Sequence, residues 1–322
     1  MKRVMLFITV LICAAAAVLL VGCTKKAGPH IDVDELPGSG SDVLIRELTF
    51  SEDFDPSGIK DTAMIYKAYP VEVTEEYIGF LAEKMQMSGS TVNDDGQSLR
   101  VSDGKGNSIV VFKASGSIFC SFSDRAAIVD SELEALYTDE EYCAAAREWI
   151  ESAGLLTDEY DVEDVRIADN GFVTKTVGEK EERYPTLKTV TYMRRDLDGL
   201  GFSGVAPRII VDLSLDGKVV GVTKLQRAFE PFAEYPLTEI ENAVRKLEKG
   251  EGVFYRSGNT SDTGVIDSAE LMYYNREAMD SSTYLIPVYV LHGTSGEGQF
   301  TAVVIAVDEN CYTVTGTSAA GQ

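Results

Sequence analysis

Residues 209–222 read IIVDLSLDGKVVGV and contain the strongest local hairpin signal in the chain. Apolar residues recur on both sides of Asp216-Gly217, and an Asp-Gly pair in this setting is typical of a tight hairpin turn. Hairpins join antiparallel strands, whereas parallel strands need long crossovers. The stretch therefore predicts that the chain folds around antiparallel sheet.

A loose pattern of one amphipathic helix followed by strands occurs three times along the chain. The first helix is predicted to begin near Thr74, the second at Thr138 and the third at Thr238. Glu141 and Glu241 stand three places after the last two threonines, which is the arrangement of a capping box. Each apolar stripe is followed by a glycine that can end a helix, namely Gly89, Gly154 and Gly250.

Strand patterns follow each predicted helix. The expected strands are 98–102, 109–112 and 117–122 after the first helix, 189–194, 209–215 and 219–222 after the second, and 269–274, 284–292 and 300–307 after the third. Hairpin spacing favours antiparallel sheets with a helix covering one face of each. The predicted fold class is α+β, with tandem units of one amphipathic helix packed on an antiparallel β-sheet. Residues 157–185 are acidic and weakly periodic, so we predict an irregular excursion there.

The N-terminus carries the clearest indication of location. Lys2-Arg3 precede an apolar stretch of 18 residues, 4–21, and residues 20–23 read Leu-Val-Gly-Cys. A basic start, an apolar core and a small residue before the cut are typical of a secretory signal. Residues 20–23 resemble the lipobox of bacterial lipoproteins, which implies cleavage between Gly22 and Cys23 and attachment of fatty chains such as palmitate to Cys23. The alternatives are an uncleaved membrane anchor and a buried core helix.

The chain divides into six predicted segments. Residues 24–42 are polar and rich in Gly and Pro, so they are expected to form a tether rather than to bury a core. The segments are a signal peptide (1–22), a flexible tether (23–42), an N-terminal α+β unit (43–135), a middle unit (136–235), a C-terminal unit (236–312) and a tail (313–322).

The charge of the chain restricts its partners. It holds 52 acidic and 29 basic side chains and has a net charge of −23. Binding to a nucleic-acid backbone requires clustered Lys and Arg, so nucleic acid is excluded as a main partner. The same charge repels anionic lipids, so contact with the lipid bilayer must come through acylated Cys23. The expected location is the extracytoplasmic face of the plasma membrane.

The residues that usually carry catalysis or metals are scarce. Of two histidines, His30 lies in the predicted tether and His292 stands alone near the end of a predicted strand. Cys120, Cys143 and Cys311 follow no zinc or disulfide spacing, although one pair can still bridge. Residues 199–204 match G-x-G-x-x-G, but no helix follows to receive a pyrophosphate. We therefore expect no cofactor, no metal and no enzymatic activity.

Tyrosines gather on neighbouring strands of the last unit. Pro287 interrupts one of these strands, and proline favours an edge strand or a bulge. Tyrosines beside a sheet edge are typical of a protein-binding surface, whereas the alternative is core packing with the phenol at the rim. The candidate interaction surface consists of Tyr273, Tyr274, Tyr284 and Tyr289.

Two units resemble known extracytoplasmic domains. Residues 235–247, 271–274 and 284–289 resemble the C-terminal module of YycI-type regulatory proteins. Residues 192–199 leading into 209–217 are similar to PepSY-like domains. The first resemblance implies modulation of a cell-wall-sensing histidine kinase through protein contacts outside the membrane. The second implies a small α+β module that binds or restrains a partner enzyme.

These observations favour a non-enzymatic lipoprotein that binds or regulates another protein of the bacterial cell envelope, such as a sensor kinase or a hydrolase. The alternative is a ligand- or peptide-binding lipoprotein that serves a transporter, which requires a deep apolar pocket with a few polar groups. A third possibility is an enzyme that acts through two facing carboxylates, as glycosidases do.

Overall fold

The computed structural model describes residues 28–36, 45–69, 72–87, 89–123, 137–177, 180–205, 207–259, 261–276 and 282–315. The predicted signal peptide, Gly22 and Cys23 lie outside the described residues. Within those ranges, no helix combines the length and the apolar character that crossing a membrane requires.

The fold is mixed and dominated by sheet. The described residues contain three α-helices, α1 (Glu75–Lys84), α2 (Asp139–Ser152) and α3 (Ile240–Glu248), and a short 3₁₀ turn at Glu309–Cys311. The strands are β1 (Ile31–Asp34), β2 (Glu47–Phe50), β3 (Thr62–Tyr69), β4 (Thr91–Asp94), β5 (Ser98–Ser102), β6 (Asn107–Phe112), β7 (Ile118–Phe122), β8 (Tyr160–Val177), β9 (Lys180–Arg194), β10 (Phe202–Gly204), β11 (Arg208–Ser214), β12 (Val219–Leu225), β13 (Ala228–Pro236), β14 (Val253–Ser257), β15 (Thr263–Asn275), β16 (Tyr284–Ser295), β17 (Gly298–Ile305) and β18 (Tyr312–Thr315).

Two of the three predicted helix starts are confirmed. The Thr74 hydroxyl accepts a hydrogen bond from the Tyr77 amide at the start of α1. Thr138 and Glu141 form both halves of the capping box at the start of α2.

The predicted capping box at the third helix is wrong. Helix α3 begins after Glu239, whose side chain makes no capping hydrogen bond. Thr238 is instead held by the sheet, because its amide donates to the Ala306 carbonyl and its carbonyl accepts from the Tyr289 hydroxyl. These contacts fix Thr238 one residue before the position that the box requires.

The first sheet joins strands from two predicted units. Its order is β4-β5-β6-β7-β12-β11-β9-β8, and all its neighbours are antiparallel. The hairpin predicted at Asp216-Gly217 is confirmed as the connection between β11 and β12. Helices α1 and α2 pack on one face through Ile78, Leu81, Tyr142 and Ala146. Because β7 pairs with β12, the predicted boundary at residue 135 does not divide the sheet.

The second sheet collects strands from all three predicted units. It runs β10-β15-β16-β17-β14, with β2 beside β15, β3 beside the start of β16 and β13 beside β3. Helix α3 covers one face, where Ala243 and Leu247 pack with Leu291 and Ala302. The described strands therefore form two large sheets, each built from more than one predicted unit, and not three separate helix-on-sheet units.

The other face of the second sheet is covered by the N-terminal segment, residues 28–36. Strand β1 pairs in parallel with β18, and Ile31, Val33 and Leu36 are buried against the sheet. The Arg276 guanidinium donates to the backbone carbonyl of Asp34 at 2.8 Å. The prediction of a flexible tether over 23–42 is therefore wrong for residues 28–36, and β18 likewise includes the first residues of the predicted tail. Ile31 and Val33 alternate as in a strand, but this short signal lies in a stretch that is otherwise polar and rich in Gly and Pro, so the sequence predicts a tether.

The cysteines of the described residues are all free thiols. Cys120 is buried with its Sγ 3.5 Å from the Met85 Sδ, and burial raises the pKa of its thiol. Cys311 is buried and Cys143 is half-buried. No disulfide therefore joins Cys120, Cys143 and Cys311.

Truncation of Ile31 tests whether the N-terminal segment belongs to the core. We expect Ile31→Ala to lower the free energy of unfolding by about 2–4 kcal/mol, because it removes buried methyl groups. Asp32→Ala is the matched control, since the Asp32 side chain is exposed on the same strand. Urea denaturation measures both variants, and equal midpoints for Ile31→Ala and the wild type would show that the segment is not docked.

Candidate functional site: a projecting hairpin

Three of the four tyrosines predicted to form an interaction surface are buried. Tyr273, Tyr274 and Tyr289 belong to the core, and Tyr284 is half-buried. The Tyr273 hydroxyl donates to the Met64 carbonyl at 2.8 Å. The predicted surface is therefore wrong for these three residues, and the alternative of core packing is correct.

The burial of the tyrosines follows from the position of their strands. Strand β16 lies between β15 and β17, so it is an inner strand despite Pro287, and the predicted edge is wrong. Side chains alternate across a strand. Tyr289 therefore faces α3 whereas Tyr274 of the neighbouring strand faces the N-terminal segment.

The most exposed extension of the fold is the hairpin formed by β8 and β9. Strand β11 pairs with β9 only as far as Leu187, which lies opposite Asn170 of β8. Beyond that point β8 and β9 pair only with each other, from Phe172 opposite Pro185 to Val177 opposite Lys180. We call residues 171–186 the arm, and its seven residues along β8 extend about 23 Å. The irregular excursion predicted over 157–185 is therefore wrong.

A glycine bends the chain where the arm leaves the sheet. Gly171 has φ of +54°, a value that favours glycine, and an added Cβ would lie 2.6 Å from the Thr186 Oγ1. The Asn170 side chain accepts from the Gly171 amide at 2.8 Å, and the Thr186 hydroxyl donates to the Gly171 carbonyl at 2.7 Å. The bend is therefore fixed by hydrogen bonds on both strands.

Charged groups hold the root of the arm. The Lys188 ammonium lies 2.7 Å from the Asp169 carboxylate and 3.1 Å from that of Asp139 on α2. The hydrogen bond to Asp169, and a weaker one to Asp139, raise the pKa of Lys188. At the opposite end of the hairpin, the Arg194 guanidinium lies 2.9 Å from the Glu159 carboxylate, just before β8. The Lys188 pairs join the root of the arm to α2, and the Arg194 pair ties the two strands together at the far end of the hairpin.

The arm presents aromatic and apolar groups to solvent. Phe172 is 44% exposed and Val173 is 38% exposed. The Arg183 guanidinium lies over the Phe172 ring at 4.2 Å, and a hydrogen bond to the Glu182 carboxylate raises the pKa of Tyr184. Aromatic residues and arginine are enriched at protein interfaces. The arm is therefore suited to contact with another protein, since it presents the ring of Phe172, the guanidinium of Arg183 and the phenol of Tyr184.

The outer edge of β8 is a second feature of this site. Strand β8 ends the order of the first sheet, so no described strand pairs with its outer side. Backbone N–H and C=O groups along such an edge can pair with an extended segment of another chain. Val165 and Ile167 pack against the core below the arm, which keeps this part of the edge in place.

A cleft lies between the end of α1, helix α2 and the β11–β12 turn. Its volume is about 520 Å³, and its walls include Trp149, Met85, Lys84, Glu148 and Lys218. Half of the ten residues that line the cleft are polar or charged, whereas a pocket for an apolar ligand is mostly hydrophobic. The cleft therefore lacks the mostly apolar lining that the alternative ligand-binding function requires.

A buried lysine lies beside the end of the β8–β9 hairpin that is opposite the arm. Lys224 of β12 is only 5% exposed, and its ammonium lies 5.4 Å from the centre of the Tyr160 ring. Burial lowers the pKa of Lys224 to about 8, with a smaller opposing effect from Glu159 and a smaller lowering effect from Arg194.

No protein-family model and no curated protein matches the chain. Among solved structures, it is similar to an uncharacterized protein from Eubacterium rectale, with 12% identity and a TM-score of 0.44 over 85% of this chain and 92% of that chain. It is also similar to the C-terminal domain of Bacillus megaterium YpeB, with 14% identity and a TM-score of 0.32 over 73% of this chain and 94% of that chain. These values are too low to transfer an activity.

Replacement of Lys224 by Met tests the buried ammonium through pH. Between pH of about 8 and 10.4 the unfolded state binds more protons than the folded state, so this lysine makes stability rise with pH. The loss of stability caused by burying the charged Lys224 ammonium is fully present at pH values well below 8. We expect the stability advantage of Lys224→Met over the wild type to fall by about 2 kcal/mol between pH 8 and 9.5.

Denaturation at several pH values measures this difference, in which the contributions of the cysteines and tyrosines cancel. Lys249→Met is the control, because Lys249 is exposed at the end of α3. An advantage of Lys224→Met that stays constant with pH would contradict the assignment.

Proposed function

We propose that this chain is a non-enzymatic lipoprotein of the bacterial cell envelope that binds another envelope protein through its arm. The observation that carries the proposal is the arm itself, a hairpin that extends past its sheet with Phe172 and Val173 exposed. The expected partner is a protein with an extracytoplasmic domain, such as a sensor kinase or a hydrolase. The resemblance to YycI-type and PepSY-like domains supports this class of partner.

The energetics of an isolated hairpin support a docking role. Two-stranded hairpins are only marginally stable in water, and an exposed ring at their surface adds nothing to folding unless it is covered. A partner that covers Phe172 and pairs with the edge of β8 stabilises both features. The contact is therefore favourable for the arm as well as for the partner.

Charge supports the same surface. Residues 171–186 carry three basic and three acidic side chains, so the arm is neutral in a chain with a net charge of −23. Like-charge repulsion across an interface costs several kcal/mol. The arm is thus a region that an acidic envelope protein can approach without that repulsion.

The anchor completes the proposal. Acylation of Cys23 would hold the fold at the extracytoplasmic face of the plasma membrane, where the partner's outer domain is accessible. Two acyl chains are sufficient for stable attachment, whereas a single chain is marginal. The alternative, a ligand-binding lipoprotein that serves a transporter, would use the cleft between α1 and α2 instead of the arm.

A photoreactive phenylalanine analogue at position 172 tests the arm. In intact cells we expect irradiation to give one discrete adduct with a protein that has an extracytoplasmic domain. The matched control carries the analogue at position 80, because Phe80 on α1 is also 44% exposed. The absence of an adduct at 172, or the same adducts at both positions, would count against the arm as the contact.

Metabolic labelling with palmitate tests the anchor separately. We expect the label in the wild-type chain and its loss in Cys23→Ala, because the thiol is the acylated atom. Cys13→Ala is the matched control, since Cys13 lies within the predicted signal peptide and should leave labelling intact. Label that persists in Cys23→Ala would refute the lipobox interpretation.

A further inference from the structure

A small aromatic surface lies on the outer edge of the second sheet. Phe232 is 37% exposed on β13, which ends this part of the sheet and bulges between Pro231 and Ala233. The Phe232 ring lies 5.3 Å from the ring of half-buried Tyr284. Tyr284 stands directly opposite Lys67 of β3. We call Phe232, Tyr284 and Lys67 the aromatic edge.

The N-terminal segment begins at this same edge. An added Cβ on Gly28 would lie 2.7 Å from the Ala233 Cβ and 2.6 Å from the Tyr235 ring, so Gly28 sits directly on β13. The Tyr235 hydroxyl donates to the Pro29 carbonyl. The chain that precedes Gly28 therefore reaches the fold beside Ala233, the residue that follows Phe232.

The remaining length of chain limits how far this edge can lie from the proposed anchor. Five peptide units separate Cys23 from Gly28. Fully extended, they span at most about 18 Å. A bilayer's polar region occupies about 5–8 Å on each side of the hydrocarbon core. An acylated Cys23 thus leaves at most roughly 10 Å between the headgroups and β13, which is about the spacing of two packed sheets.

We propose that the aromatic edge contacts the lipid bilayer and holds the fold against the outer leaflet. The proposal rests on the acylation of Cys23 described above. Aromatic side chains with an apolar body, and tyrosine with its polar tip, favour the membrane interface. A lysine such as Lys67 can lay its stem along apolar groups while its ammonium reaches a phosphate.

The charges around the aromatic edge set which lipid it suits. Glu230 lies opposite Lys67 in the sheet, and Glu234 accepts a hydrogen bond from the Thr62 hydroxyl nearby. With these carboxylates and a net charge of −23, an anionic leaflet repels the fold. The contact therefore depends on ring insertion rather than on a basic patch, and a zwitterionic surface is the appropriate probe.

Fluorescence quenching in vesicles tests the proposal on the full acylated chain. Phe232→Trp is reconstituted into phosphatidylcholine vesicles that contain lipids brominated on their acyl chains, and the emission of Trp149 is subtracted with the wild type. We expect the added Trp to be quenched about twofold, because interfacial rings lie at the headgroup level. The matched control is Phe80→Trp, an exposed position on helix α1, which packs on the first sheet, and it should not be quenched.

Tyr284→Trp provides a second probe on a different strand, so the test does not depend on the folding of one variant. Quenching of either edge probe but not of the control supports the proposal. Mass spectrometry of the same vesicles reports the state of Cys23. Unquenched edge probes on acylated chains would overturn the membrane contact alone, whereas unmodified Cys23 would overturn the lipoprotein proposal and this inference with it.

Discussion

The second sheet must be covered on two faces, and this requirement organises the molecule. Helix α3 covers one face, and no second helix is present among the described residues to cover the other. The N-terminal segment does so with Ile31, Val33 and Leu36. Because these residues join the core, a segment that resembles a spacer in sequence becomes structural, and the first of them lies eight positions after Cys23. The fold consequently begins close to the predicted acylation site.

Local signals in the sequence predict individual helices and turns. They do not predict which strands pair with one another in the sheets. The Thr138–Glu141 box and the Asp216-Gly217 turn depend on contacts within a few residues, so a single stretch of sequence specifies them. The pairing of β7 with β12, and of β3 with β13 and β16, joins residues that lie about a hundred or more apart. Alternation of apolar residues indicates a strand but does not say which strand lies beside it.

The candidate site also depends on which elements cover which strands, and the sequence does not specify this. The tyrosines of β15 and β16 have the composition of an interface, but their exposure depended on whether other elements covered both faces. The arm was missed for the opposite reason. A ribbon exposed on both faces needs no apolar period, so its charged residues gave no strand signal. Phe172 and Val173 followed by Thr174 were the one indication in the sequence.

Arg194 links the two sheets. Its guanidinium pairs with Glu159 at the end of the β8–β9 hairpin opposite the arm, and it also lies 5.8 Å and 5.1 Å from the rings of Phe202 and Phe229. Phe229 belongs to β13, the strand that carries Phe232. Arg194 belongs to β9, whose other end forms one strand of the arm. A bilayer contact on β13 would therefore orient the arm through the length of β9, since a cation over a ring favours a defined geometry. Acylation of Cys23 alone would limit only the distance between the fold and the bilayer. Contact of the aromatic edge with the bilayer would also fix the orientation of the fold.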